Sequence, residues 1–285
     1  MINERRENIF YLDQNKNDKF EKNRNKEKIK VLKENLKMTE NVEEADYILS
    51  VGGDGSLLRS ISLYKHLNKP FFGINGGTLG YYMQHLFDEN NKIPDIVLED
   101  IRFKKHFNTY MPLLSVKAID DKGVIYTNTA FGDVWVERAV SQSLKYNISV
   151  VTDTVPLFCS KDKAISGDGI LFSTAAGSTG YARSILGVIM PIGSKNMLVA
   201  PMNSSVDKRL LNGFTLNSRS KIKIDICDYN FRIPKLSVDG QTVKNEDGSD
   251  FKSVSLEVSS SDEKVVMAFI EQNYIEYKSF DYLIN

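Results

Sequence analysis

The stretch YILSVGGDGSLLRS, residues 47–60, decides the fold. It opens with a short β-rich apolar run (YILSV, residues 47–51) that stops at Gly52-Gly53-Asp54-Gly55, after which Leu57, Ile61 and Tyr64 recur at helical spacing. The pattern is strand, glycine turn, helix, with the helix predicted to begin at Ser56. Pro70 opens a second apolar run, FFGI at residues 71–74, which ends at Asn75-Gly76-Gly77 and Gly80. Toward the N-terminus, IFYL at residues 9–12 predicts a short buried strand. Ile29, Leu32 and Leu36 predict an amphipathic helix over residues 18–38, with its mixed-sign charges as the solvated face. Strands alternating with helices argue for a parallel α/β sheet up to about residue 100.

Beyond that point the texture changes. MPLLSVKAI (111–119), VIYTNTAFGDVWVE (124–137), YNISVVT (146–152), SKIKIDIC (220–227), FKSVSLEV (251–258) and KVVMAFIE (264–271) are short, β-branched or alternating, and separated by polar breakers. They predict an all-β second domain, interrupted by a helical segment at residues 179–186. The expected organisation is an α/β domain over residues 1–105 and an all-β domain over 106–265. A C-terminal tail at 266–285 could pack back on the first.

Composition narrows the function. Lys+Arg 37 against Asp+Glu 37 in 285 residues gives a formal charge of +0, so no global field attracts nucleic acid or anionic lipid, and an anionic ligand must be held by local geometry. Cys159 and Cys227 with His66, His85 and His106 make no zinc-ligand spacing and no disulfide scaffold. Neither cysteine has a histidine or basic cluster nearby in sequence, so neither reads as a nucleophile. The N-terminus has no signal-peptide apolar region, and no long uncharged apolar run follows; a cytoplasmic chain with reduced thiols is expected. The histidines read as surface or satisfied core residues, Trp135 as core, and Asp121, Asp225 and Asp228 as turn residues.

Two stretches carry chemistry. In GGDG, small residues let a ligand approach the backbone, and the following helix aims unpaired N–H groups at the turn, which suits an anion. Asp54 within that turn suits a general base for a hydroxyl nucleophile or a group that organises Mg²⁺ between phosphates; the same tetrapeptide also fits a plain tight turn with an Asx bond. The second stretch, SGDGILFSTAAGSTGYARS at residues 166–184, offers Ser173, Thr174, Ser178 and Thr179 as compact donors and acceptors, or a hydroxyl-rich hairpin turn. G-x-x-x-x-G-K-[ST] and G-x-G-x-x-G are both absent, which disfavours P-loop hydrolysis and dinucleotide oxidoreduction.

GGDG at 52–55 with Arg59, GINGGTLGYY at 73–82, GDG at 167–169, STAAGSTGY at 173–181 and SVDGQ at 237–241 together resemble the NAD kinase family. The resemblance implies an enzyme that holds NAD between an α/β and a β domain. It would transfer phosphate from ATP or polyphosphate, with a divalent cation, to the adenosine ribose 2′-hydroxyl to give NADP. A homodimer or homotetramer is implied, with no nucleic-acid or membrane partner. By that resemblance Asp54 is the catalytic base, and Gly52, Gly53 and Gly55 form the phosphate turn. Gly55, Arg59, Tyr81, Tyr82, Gly132, Asp133, Asp168, Thr179, Gly180, Tyr181, Ala182, Arg183, Ser184 and Gln241 contact substrate, and no side-chain cluster holds the metal.

The sequence departs from the family pattern at Gly132 (usually Asn), at Gly180 in Thr179-Gly180-Tyr181 (usually Thr-Ala-Tyr), in GVIMP at 187–191, and at Met202 (often His). These departures bear on affinity and nucleotide identity more than on reaction type. The rival readings are a GGDG-type lipid kinase, of the diacylglycerol or sphingosine kind, and a non-catalytic nucleotide-binding regulator. The first lacks counterparts to STAAGSTGY and DGQ; the second gains nothing from a carboxylate beside phosphates.

Overall fold

The computed structural model describes residues 6–13, 25–77, 80–104, 106–160, 163–204, 213–272 and 274. The chain divides into two compact units, one of Met1–Met111 with Val265–Asn285, the other of Pro112–Lys264.

In the first unit, β1 (Ile9–Asp13), α1 (Lys26–Asn35), β2 (Lys37–Thr39), β3 (Tyr47–Gly52), α2 (Asp54–Tyr64), β4 (Phe71–Asn75) and α3 (Asp95–Phe103) follow in order. The strands lie parallel as β2–β1–β3–β4, and Met267 from the returning chain pairs in parallel with Phe71. Every residue of β3 and β4 is buried, as strands covered on both faces require. Their core includes Phe10, Leu32, Leu49, Phe72, Ile74, Ile101 and Ala268.

Two helix boundaries differ from expectation. Residues 18–24 of the first expected helix lie outside the described residues, and α1 stops at Asn35 because Leu36 turns to extended geometry and residues 37–39 join the sheet as β2. The helix after the glycine turn begins at Asp54 rather than Ser56, since Gly53 is its extended N-cap and its carbonyl already accepts from Ser56 N–H.

Of the two expectations for the histidines, surface or satisfied core, His106 takes the core place but is poorly satisfied there. It is 4% exposed, with ring centroids 4.6 Å from Tyr47 and 4.9 Å from Phe72. The Ile101 carbonyl lies near, but neither ring nitrogen makes a hydrogen bond of normal geometry among the described residues. Burial lowers its pKa to about 4. The unfolded chain therefore binds a proton that the native state refuses. Stability from this group is complete above the unfolded pKa near 6.5 and is lost as pH falls toward 4. Replacement by leucine, close in volume, should shrink the drop in unfolding free energy between pH 7.5 and 4.5 by about 2–3 kcal/mol. Denaturant titrations of both proteins at the two pH values check this; an equal drop in both removes the explanation.

The second unit is built from β5 (Phe107–Asp120), β6 (Ile125–Ala130), β7 (Asp133–Arg138), β8 (Leu144–Thr152), β9 (Val155–Cys159), β10 (Ile165–Gly167) and β11 (Gly169–Ser173). These are followed by α4 (Tyr181–Leu186), β12 (Met197–Met202), β13 (Phe214–Leu216), β14 (Ser220–Cys227), β15 (Pro234–Val238), β16 (Gln241–Thr242) and β17 (Ser253–Phe269). The first and last of its strands extend into residues of the other unit. One sheet runs β10–β8–β14–β17, with β9 on β8 and the β5–β6 hairpin on β17; the other runs β13–β12–β11–β7–β15–β16 and is antiparallel throughout.

Alternate residues of facing strands fill the space between these sheets: Tyr146, Ile148 and Val150 of β8 share one core with Val134, Val136, Ile170, Phe172 and Val199. The far side of β11 and β12 is also buried, where Leu171, Leu198, Ala200 and Met202 pack with Ala182 of α4.

Three readings of the β texture change. The run 124–137 is two strands, broken at Phe131-Gly132. The runs 251–258 and 264–271 belong to one strand, β17, whose polar middle is solvated. Asp225 lies within β14, where it accepts from Ser255, rather than in a turn.

Candidate active site

Asp13, Gly52 and Asn75, the last residues of β1, β3 and β4, lie at the carboxyl edge of the first unit's parallel sheet, where open α/β folds bind ligands. Gly52 has φ of 152°, a backbone that only glycine enters readily. Its carbonyl accepts from Gly76 N–H at 2.9 Å, tying the two glycine turns together. Asp54 opens α2. Its Oδ2 accepts from Tyr81 N–H at 2.8 Å and its Oδ1 from Tyr82 N–H at 3.0 Å. The carboxylate is thus gripped by the backbone of the second glycine segment, while a Cβ at Gly53 or Gly55 would meet nothing within 4 Å.

The aromatic side chains of Tyr81 and Tyr82 are buried and edge-packed on each other at 5.0 Å. Their peptide groups carry the contact with Asp54. Arg59 is ion-paired with the buried Asp13 carboxylate, which also accepts from Ser60 Oγ at 2.6 Å, so its charge is largely spent inside the unit.

In the second unit, the turn between β6 and β7 is clamped from two directions. The Asp239 carboxylate accepts the N–H groups of Phe131 (3.0 Å), Gly132 (2.7 Å) and Asp133 (3.3 Å), and Asp239 N–H returns a bond to the Asp133 carbonyl at 2.9 Å. On the other side, Thr174 donates its N–H to the Gly132 carbonyl at 2.9 Å and its hydroxyl to the Phe131 carbonyl at 2.6 Å. Close approach here explains Gly177: a Cβ on it would sit 2.2 Å from the Gly132 carbonyl oxygen. Burial, with the Asp239 carboxylate as a smaller cause, raises the Asp133 carboxyl to about 7. No donor among the described residues reaches that carboxyl.

A cleft of about 430 Å³ in this unit is lined by Asp168, Tyr181 and Ser184, together with Glu137, Arg138, Ile185, Met202 and Asn203. Asp168 accepts from Asn203 Nδ2 and Arg138 Nε, both at 2.6 Å, and these bonds hold its pKa below the ordinary carboxylate value. Tyr181 stands half-exposed with its ring 5.5 Å from Trp135, so Trp135 supports the cleft wall as well as the core.

The remaining predicted positions in this unit do not line that cleft, although four of them adjoin Tyr181 and Ser184 in the chain. Thr179 donates to the Ala176 carbonyl, Gly180 is exposed, Ala182 is fully buried, Arg183 is half-buried, and Gln241 is exposed on β16. Sequence reasoning passed over Asp239, although it stands two residues before Gln241 in SVDGQ. It also passed over Arg138 and Asn203, which no local pattern marks. Among the described residues, no three of His, Cys, Asp and Glu converge as a metal site.

A family model described as the ATP-NAD kinase N-terminal domain matches residues 3–100. The NAD kinase of Rickettsia bellii is 33% identical over 235 residues, covering 82% of this chain and 84% of that protein. The chain belongs to the NAD kinase family. The NAD kinase of Rickettsia canadensis is 31% identical, with 82% and 83% covered.

Two solved structures share the fold. Yeast NADH kinase complexed with NADH superimposes with a TM-score of 0.73 at 17% identity, over 97% of this chain and 87% of that one. An NAD kinase from Archaeoglobus fulgidus in complex with ATP gives 0.68 at 20% identity, over 97% and 98%.

Proposed function

We propose that this chain phosphorylates the 2′-hydroxyl of the adenosine ribose of NAD to give NADP. The observation that carries the reading is the Asp54 carboxylate, set at the start of α2 and oriented by two backbone amides in a chain that belongs to the NAD kinase family. Asp54 takes the hydroxyl proton, the ribose oxygen forms a bond to the terminal phosphorus of the donor, and the bond from that phosphorus to the leaving phosphate oxygen breaks. The Gly52–Gly55 turn and the N–H groups opening α2 receive donor phosphates.

ATP is the favoured donor, since a protein sharing this fold is complexed with it; polyphosphate is the second to test. A divalent cation would supply charge neutralisation between phosphates. With no converging protein cluster among the described residues, the donor's phosphate oxygens would be its main ligands.

In the second unit, the turn at Gly132-Asp133 and the cleft at Asp168, Tyr181 and Ser184 form the nucleoside cradle. Ionised Asp168 accepts from sugar hydroxyls or amide groups, and Asp133 can donate or accept near neutrality. Asp168, Arg138, Asn203 and Glu137 make this cleft polar, which suits a nucleoside better than an acyl chain. Among the described residues no helix is long and apolar enough to cross a membrane; a cytoplasmic location is part of the proposal. A homodimer or homotetramer, read by light scattering, is the expected assembly.

The decisive experiment is NADP⁺ formation by the purified chain, read through an NADP-specific dehydrogenase. ATP and polyphosphate serve as alternative donors, and diacylglycerol as a control acceptor. Turnover of NAD with either donor supports the reading; phosphate transfer to the lipid alone overturns it.

A further inference from the structure

The returning end of the chain reaches the loop that orients Asp54. Gln84, 1% exposed, donates Nε2 to the Ala268 carbonyl at 3.2 Å and accepts Ile270 N–H on Oε1 at 2.8 Å. Its own backbone bonds Gly73 and Asn75 of β4. Tyr274 then donates its hydroxyl to the Met83 carbonyl at 2.9 Å, with its ring stacked on Phe269 at 5.6 Å.

Met83 is fully buried, and its thioether lies so close to β4 that a Cβ on Gly73 would meet the sulfur at 2.8 Å. Its side chain is therefore fixed under the strand. Among the described residues Tyr274 is the donor that fixes its carbonyl. The next two residues toward the N-terminus, Tyr82 and Tyr81, supply the amides held by Asp54.

We infer that Tyr274 is a positioning residue for Asp54, its hydroxyl locking the Met83 carbonyl so that the preceding amides present the carboxylate in one orientation. The inference rests on the kinase reading for its catalytic consequence alone. Burial raises the Tyr274 phenol to about 12 against the opposing effect of a hydrogen bond with the His85 backbone, Glu271 and Asp54 adding smaller upward contributions, so it remains a hydroxyl donor across the working range.

The test is Tyr274→Phe in the full chain, which keeps the stacked ring and removes the hydroxyl with its bonds to the Met83 carbonyl and the His85 backbone. Hydrogen exchange at the Tyr81 and Tyr82 amides should quicken several-fold. The kcat for NADP formation should fall roughly three- to tenfold, the scale of one hydrogen bond, with KM for NAD and donor within about twofold. Tyr274→Leu, which also loses the stacking, should lower the melting temperature further without a comparable further loss of kcat.

Unchanged exchange at Tyr81 and Tyr82 in Tyr274→Phe overturns the inference whether or not the wild type makes NADP. So does an unchanged kcat beside a wild type that turns over. A wild type that makes no NADP while exchange quickens overturns the kinase reading and leaves the positioning role standing.

Discussion

Asp54→Asn is expected to lower NADP formation by about 10²–10⁴, the contribution of a positioned general base. The structure adds a second consequence. Each carboxylate oxygen of Asp54 accepts one backbone N–H, from Tyr81 and from Tyr82. An asparagine has a single acceptor oxygen, so its amide nitrogen must face one of those N–H groups and leave it unsatisfied, at about 1–3 kcal/mol. The variant should therefore melt at a lower temperature, and the loop at Tyr81-Tyr82 should loosen. NAD affinity, carried by the other unit in this reading, should change little.

Turnover and thermal unfolding of the same preparation separate the two effects. A stability loss with more than roughly a third of wild-type turnover retained, far above that expected for a lost base, would make Asp54 a loop-organising residue and remove it from the chemistry.

That double role shows where the sequence was legible. The strand, glycine turn and helix of residues 47–61 could be read directly because β3 is a wholly buried, mostly apolar run, Gly52 must adopt a backbone few other residues reach, and Leu57 and Ile61 mark the buried face of α2. What orients Asp54 could not be read. Its partners are peptide N–H groups, which every residue but proline possesses, brought there from 27 and 28 positions away. Arg59 shows the same limit from the other side: its charge is visible in the sequence, but its pairing with Asp13 depends on two parallel strands lying side by side.

In the second unit, β8 and β14 alternate and were legible, since one face looks into the core and the other outward. The strand β12, MLVAPM, is buried at all six positions and carries a proline, so it offers neither alternation nor an expected strand composition. It was missed for that reason. Asn203 follows directly from it, and the partner of Asp168 was lost with the strand.

Asp239 is the clearest case of an organising carboxylate concealed as a turn. It adopts φ of 47°, a left-handed conformation that Asp and Asn tolerate better than most residues, so Asp-Gly in SVDGQ satisfies a simple turn reading. In the folded unit its carboxylate is the acceptor for three successive amides, Phe131, Gly132 and Asp133. Asp239→Ala removes all of these acceptors at once, leaves N–H groups of a buried turn without partners, and strains the backbone at the substituted position. The expected loss is about 3–5 kcal/mol of unfolding free energy, at the severe end for a single substitution.

The turn that slackens is the one carrying Gly132 and Asp133, so KM for NAD should rise by more than tenfold, while kcat at saturating NAD falls much less, the pattern of lost ground-state binding. Asp239→Asn keeps one acceptor oxygen and the left-handed preference, and should fall between the variant and the wild type on both measures. Denaturant unfolding and steady-state kinetics on the three proteins check the order. If Asp239→Ala destabilises as expected but leaves KM for NAD unchanged, the turn at Gly132-Asp133 is a structural corner of the β unit and the nucleoside lies elsewhere, with the cleft at Asp168 and Tyr181 left to account for NAD binding alone.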